Sequence, residues 1–142
     1  MKNFKPFLLA LLLSIILTAC SEAAIPERFI PTPKPGNSTI AGVLVSSKDG
    51  TPYSNTYVRL AEVYRKDKAA AFVLDAAFSP GALTNEKGEF IISDIKPGEY
   101  VIIIGDPAVN YLIIEDNQTG DAKVWNAPES GILDVGIFKI DF

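Results

Sequence analysis

From Thr39 to Phe142 the chain consists of short runs rich in Val, Ile, Tyr and Phe, broken at intervals of about eight to twelve residues by Gly, Pro, Asn or Asp. Runs this short leave little room for helices, and β-branched and aromatic side chains suit a pleated, half-buried backbone. The pattern predicts an antiparallel β-sandwich. Strands are expected near Thr39–Ser46, Thr56–Tyr64, Phe72–Leu74, Ala82–Thr84, Glu89–Ile92, Tyr100–Ile104, Tyr111–Glu115, Lys123–Trp125 and Leu133–Phe142. Only Arg65–Ala71, with Lys66, Asp67, Lys68 and three alanines, offers a turn or two of helix, and a flexible loop suits it equally.

The turns have physical reasons. Asn85-Glu86-Lys87-Gly88 lies between Leu83-Thr84 and Phe90-Ile91, so Gly88 can supply the positive φ of a tight hairpin. Pro97-Gly98 presets a second reversal before Tyr100, the proline fixing φ and the glycine accepting a left-handed conformation. In the last run the apolar parity shifts between Leu133, Val135 and Phe138, Ile140, Phe142, with Gly136 at the switch. A bulge there would keep both sets on the core side.

With 142 residues the chain has material for one ordinary domain. Before residue 20 it carries Lys2 and Lys5 and no acid, which leaves eleven basic against seventeen acidic side chains in the remainder. A body of that charge repels nucleic acid and anionic lipid.

The N-terminus reads as an export signal. Met1-Lys2-Asn3-Phe4-Lys5 is a short positive region, followed by an apolar run from Phe7 to Leu17. A helix of that length rises about 16 Å, half of a bilayer core, so cleavage is expected in place of a permanent span. Leu17-Thr18-Ala19-Cys20 resembles the lipobox of bacterial lipoprotein signal peptides. That resemblance implies a diacylglycerol thioether on Cys20, a palmitate-type amide-linked chain or a free amine, and cleavage after Ala19. Cys20 is the chain's single cysteine and so has no internal disulfide partner. The same resemblance implies that Ser21, where an Asp would favour retention in the inner membrane, permits export to an outer membrane in a Gram-negative cell.

Residues 20–37 then read as an acylated Cys and a tether. Pro26, Pro31, Pro33, Pro35 and Gly36 disfavour helix and central strand, and extended polyproline chain would stand the domain up to about 50 Å from the membrane. The other reading packs Phe29 and Ile30 back onto the domain. The boundaries are thus 1–19 for the signal peptide, 20–37 for the tether and 38–142 for the folded domain.

Several residues in the folded part match a family pattern. Ile40-Ala41-Gly42-Val43-Leu44, Gly50-Thr51-Pro52, Val58-Arg59-Leu60, Thr84-Asn85-Glu86-Lys87-Gly88-Glu89-Phe90, Ile95-Lys96-Pro97-Gly98-Glu99-Tyr100 and the closing Asp134 to Ile140 resemble the carboxypeptidase regulatory-like domain. The resemblance implies a seven-stranded, transthyretin-like or prealbumin-like sandwich of Ig-like architecture, usually an accessory module without catalysis. It is weakest over Arg65 to Gly81. The motif glycines, Gly42, Gly50, Gly88 and Gly98, are expected at turns, and Val58, Leu60, Phe90, Ile92 and Tyr100 between the sheets.

The chain contains no histidine, the commonest general base and a leading metal ligand, and its cysteine is committed to lipid. The hydroxyisourate hydrolases and intradiol dioxygenases with this kind of sandwich rely on histidines. Asp75, Asp94 and Asp106 fall near turns where two carboxylates could converge, and Glu115 to Asp121 is the densest group of oxygen ligands, without the alternation of an EF-hand loop. Each is expected as a solvated turn, with no metal and no cofactor. Tyr53, Tyr57, Tyr64, Tyr111 and Trp125 are amphipathic, and Tyr53, Tyr57, Tyr111 and Trp125 are taken as candidate ligand-binding aromatics.

The expectation is therefore a non-catalytic, lipid-anchored binding or structural module outside the cytoplasm, on the cell membrane or outer membrane, with an envelope protein or glycan as partner and no nucleic acid. The alternatives are a carbohydrate-binding surface lipoprotein and a carboxylate-dependent envelope hydrolase.

Overall fold

The computed structural model describes residues 28–67, 69–75 and 77–141, so the signal sequence, Cys20 and the first part of the tether lie outside the described residues. Among the described residues no helix is long and apolar enough to cross a membrane. Among the described residues nine strands account for the regular structure: β1 Ser38–Ser46, β2 Tyr57–Lys66, β3 Ala69–Val73, β4 Gly81–Leu83, β5 Glu89–Ile95, β6 Gly98–Asp106, β7 Asn110–Ile113, β8 Val124–Ala127 and β9 Gly131–Ile140.

They form two sheets. The smaller has the order β5-β1-β9, and the larger has the path β3-β2-β6-β7 with β4 on β2 and β8 on β6. Because β3 and β4 follow one another along the same edge of β2, and β8 and β7 along the same edge of β6, nine segments fill seven lateral positions. The all-β sandwich expected from the run pattern is thus the architecture of the chain, and its seven lateral positions match the strand number that the family resemblance implies. Its pairings are antiparallel except for β1 with β9, which are parallel, since β9 re-enters the smaller sheet after the chain has crossed the larger one.

The inward parity of both sheets makes one core. Ile40, Leu44, Val58, Leu60, Phe90, Ile92, Tyr100, Ile102 and Ile104 are all buried in it, including every residue expected between the sheets. Gly42 belongs to this core and not to a turn: it lies within β1, and a Cβ there would stand 2.6 Å from the Phe90 ring and 2.7 Å from Val135. The bulge expected at Gly136 is present. Ala41 pairs with Asp134 and Val43 with Ile137, so one β1 residue faces two of β9, and Gly136 takes φ 79° with its N–H donated to the Asp134 carboxylate at 2.9 Å. Leu133, Val135, Phe138 and Ile140 consequently all reach the core.

Three local expectations are corrected. Arg65–Ala71 is neither helix nor loop but the tip of the β2–β3 hairpin, with Lys66 opposite Ala69 and Asp67 at φ 54°. The helix propensity of the Lys/Ala tract is outweighed by ladder pairing along β2. The Asn85–Gly88 turn is tight, with the Asn85 carboxamide oxygen accepting the Lys87 and Glu89 N–H groups at 2.9 and 3.0 Å. Its flanks, however, enter different sheets, β4 on β2 and β5 on β1, so it is a corner between layers and not a hairpin. At the Pro97-Gly98 reversal, Gly98 is close to extended, φ 157°, and the left-handed residue is Asp94 at 58°. The Tyr100 hydroxyl locks that corner by donating to the Lys96 carbonyl at 2.8 Å, the geometry of a tyrosine corner.

The described part of the tether does not stand free. Arg28 pairs with Asp134 at 2.7 Å, the Lys34 N–H and ammonium both reach the Asp94 carboxylate, and the Gly36 N–H reaches the Ser130 hydroxyl at 2.7 Å. Asp134 is the β9 neighbour of Ala41, which is fully buried although it points away from the core between the sheets. Ile30 is half-buried and Phe29 is 85% exposed, so of these two only Ile30 packs back. The reach of about 50 Å needs all of residues 20–37 free, and residues 28–37 are strapped along the smaller sheet.

Gly88 provides a direct check of the corner. Its φ is 74°, and an added Cβ would overlap the Leu44 carbonyl oxygen, whereas Gly50, at φ 75°, has nothing nearby. Gly88→Ala is expected to lower unfolding free energy by about 2–4 kcal/mol and Gly50→Ala by about 1 kcal/mol. Urea denaturation of the two variants measures the difference, and equal losses would contradict the Leu44 contact.

Candidate functional site

The four candidate aromatics separate by strand parity. Tyr53 follows β1 and packs against the core, its hydroxyl 3.5 Å from the Ile140 carbonyl. Trp125 on β8 turns inward against Phe138, with centroids 5.9 Å apart and edge-to-face, while the Lys123 ammonium lies 4.2 Å from its ring centre. Tyr57 and Tyr111 turn the other way. Tyr57 precedes the buried Val58, and Tyr111 precedes Leu112, which packs on the core, so both stand on the outer face of the larger sheet, 45% and 47% exposed.

Register places those two rings on one row. Tyr57 pairs with Leu83 of β4, and Tyr111 pairs with Gly105 of β6. Val58 pairs with Ile104, so one step along the same ladder Tyr57 stands opposite Gly105. Across the sheet the row therefore reads Leu83, Tyr57, Gly105, Tyr111. Arg59, one row behind, holds its guanidinium 5.1 Å from the centre of the Tyr57 ring, a cation–π distance that fixes the ring. Further along the face, Ala61, Val101 and Ile103 are buried beneath Leu74, Ile113 and Ala122. Within the tyrosine row Gly105 is buried, and the two rings beside it are about half exposed.

The acids are committed to backbone. The Asp75 carboxylate accepts the Ala77 and Phe78 N–H groups at 2.8 and 3.2 Å, Asp106 accepts Ala108 at 2.9 Å, and Asp94 holds Lys34. Asp116 does the same for Gln118 and Thr119, at 2.9 and 3.2 Å, so the Glu115–Asp121 loop is an Asx-capped turn closed by a Glu115–Ala122 bridge. Among the described residues no three carboxylate, histidine or cysteine groups cluster as metal ligands.

Two of these acids, Asp75 and Asp94, do share an opening. It is a groove of about 470 Å³ at the end of the sandwich where β2 overhangs the smaller sheet, walled by Glu62, Tyr64, Tyr100 and Phe78. The Tyr64 hydroxyl donates to Glu62 at 2.8 Å, which raises the tyrosine's pKa, and burial first, then the Glu62 charge, raises that of Tyr100. Both phenols therefore stay protonated at neutral pH and serve as hydrogen-bonding groups, not as bases. Sequence reasoning missed this groove because its wall joins β2, the chain after β3 and the β5–β6 corner, which come together only through pairings distant in sequence.

No protein-family model matches the chain, and no curated protein sequence matches it. Among solved structures the chain is similar to a Pseudomonas aeruginosa protein proposed to bind carbohydrate, at 20% identity and TM-score 0.42, covering 74% of this chain and 90% of that one. It is also similar to 5-hydroxyisourate hydrolase from Klebsiella pneumoniae, at 12% identity and TM-score 0.37, covering 77% and 93%. A third is the dioxygenase domain of a dioxygenase carbohydrate-binding fusion from Streptomyces sp. SirexAA-E, at 15% identity and TM-score 0.41, covering 82% and 96%. At these values none of them assigns a ligand or an activity to this chain.

The strap should respond to acid. The Lys34 backbone N–H first, then the lysine side chain, holds the Asp94 carboxyl below its ordinary value of 3.8. A lowered pKa means that the contact is fully present above that ordinary value and is lost as pH falls through the lower, docked value. Hydrogen exchange of residues 34–37 should be slow and constant from pH 7 down to about 4, after correction for intrinsic rates, and should accelerate below that. Asp94→Asn should show the fast rate at neutral pH, and unchanged protection in that variant would contradict the role of the pair.

Proposed function

We propose that the chain is an exported lipoprotein, anchored through acyl chains on Cys20, whose β-sandwich works as a binding module at the cell envelope. The observation that carries the reading is the order of parts in the sequence: a basic start, a short apolar run, then Leu17-Thr18-Ala19-Cys20. Each buried methylene contributes about 0.8 kcal/mol, so two or three chains hold a protein durably on a bilayer. The strap adds a geometric consequence. With Arg28 tied to Asp134, only the chain between residues 20 and 28 separates lipid from domain, a reach of at most about 28 Å. The sandwich then works at the membrane surface, with the strapped sheet held near it.

Binding is favoured over catalysis by where the polar groups go. Asp75, Asp94, Asp106 and Asp116 each spend a carboxylate oxygen on turn or strap amides, while Tyr57 and Tyr111 stand in water on a sheet face. The lining of the end groove is a second place where a partner would meet polar and aromatic groups together. A seven-position sandwich used as an accessory module also fits the carboxypeptidase regulatory-like pattern of its motifs.

Expression in a bacterial host with membrane fractionation and mass spectrometry of the mature N-terminus tests the anchor. The expected product begins at Cys20, carries a diacylglycerol mass and sediments with membranes. Cys20→Ala should lose both the lipid mass and the membrane association. A soluble wild-type product with an unmodified thiol would overturn the reading.

A further inference from the structure

We propose that the end groove under the β2 overhang binds a small aliphatic primary amine as its ammonium ion, with Glu62 as counter-charge and Tyr64 and Phe78 as apolar walls. The inference rests on the reading of the sandwich as a binding module, gives that module a ligand class, and does not depend on the lipid anchor.

The groove has the make-up of a small-molecule site. Its volume of about 470 Å³ falls within the range of about 300–1,000 Å³ usual for such sites. Leu60, Ile95 and Tyr100 are buried and close the floor. The sides are open: Tyr64 is 54% exposed, Val73, which pairs with Glu62 across the hairpin, 52%, and Phe78 86%. Phe78 is held at the lip by a closed turn. Its N–H and that of Ala77 donate to the Asp75 carboxylate, the Asp75 N–H donates to the Ser79 hydroxyl at 2.8 Å, and the Ser79 N–H donates to the Asp75 carbonyl at 2.9 Å. A ring placed before the ligand arrives loses little freedom on binding it.

Charge selects the ligand. Of the acids in the lining, Asp94 is offset by the Lys34 ammonium at 3.2 Å, and Glu62 and Asp75 outnumber Lys96 by one. One positive charge balances such a groove, and an anion is disfavoured there. Each of the two acids commits one oxygen to the fold, Glu62 Oε2 to the Tyr64 hydroxyl at 2.8 Å and Asp75 Oδ1 to the turn. A carboxylate accepts through both oxygens, so Glu62 Oε1 and Asp75 Oδ2 serve the three N–H donors of an ammonium group. The alkyl chain then lies against Tyr64, Val73 and Phe78, where apolar burial and the attraction of a cation to aromatic faces act together. A bare metal ion would gain nothing from those walls, and among the described residues no three ligating side chains cluster to hold one.

Titration of the full chain in detergent with n-butylammonium at pH 7, followed by amide NMR, tests the site. n-Butyrate, of equal apolar length and opposite charge, is the second probe at matched ionic strength. The amine should give saturable shifts at the amides of residues 62–64, 77–79 and 93–96, and n-butyrate should give none. Glu62→Gln, which keeps an oxygen for the Tyr64 hydroxyl, should weaken amine binding about tenfold, and Phe78→Ala about threefold. Both side chains are exposed, so both variants should fold, and an unchanged spectrum away from the groove checks that. No saturable shift at those amides, an equal response to n-butyrate, or full affinity in Glu62→Gln would overturn the amine site. The wider reading is judged separately: an envelope partner recovered with the protein from detergent extracts would uphold a binding module even where n-butylammonium does not bind.

Discussion

The two sheets are held in register by an aromatic column that depends on a missing side chain. Gly42, in the middle of β1, leaves the space that the Phe90 ring occupies, and any Cβ there would collide with it. Phe90 stacks on Phe138 at 6.4 Å between centroids, and Phe138 in turn meets the edge of Trp125 at 5.9 Å. The column thus runs from β5 through β9 of the smaller sheet to β8 of the larger one. Without it the sheets would share aliphatic contacts but little that fixes their mutual position, since dispersion between branched chains is weakly directional.

That column also sorts the aromatic residues by use. Trp125 is taken by the core, and Tyr53 covers the end of β1. Tyr100 ties the corner between β5 and β6. The other two candidate aromatics, Tyr57 and Tyr111, have the opposite parity on β2 and β7, and strand alternation sends them outward as surely as it sends Val58 and Leu112 inward.

Much of this was legible in sequence, for reasons that differ by element. The strands from β1 to β9 announced themselves by β-branched and aromatic runs, and the Gly136 bulge by a break in apolar parity, because period-two alternation is a local property. Only the tip of the β2–β3 hairpin was hidden, since Lys66, Ala69, Ala70 and Ala71 carry no β signal and become strand by pairing across the hairpin. The Asn85–Gly88 turn was legible as a turn, but whether its flanks share a sheet depends on partners far away in the chain. For the candidate site, sequence supplied four aromatic names. Only register could show that Tyr57 and Tyr111 share a row with Gly105 between them, and that the carboxylates of Asp75 and Asp94 are held by nearby amides. Likewise the proline-rich segment read as free because its anchors, Asp94, Ser130 and Asp134, lie far from it in sequence.

The chain has a single tryptophan, which makes the aromatic column directly observable. Fluorescence of Trp125 should be blue-shifted and poorly quenched by acrylamide in the folded protein, because its ring nitrogen is buried and its edge is covered by Phe138. Phe138→Ala should shift the emission to the red and raise quenching. Emission at the position of free tryptophan in the folded wild-type protein would contradict the packing that joins the two sheets.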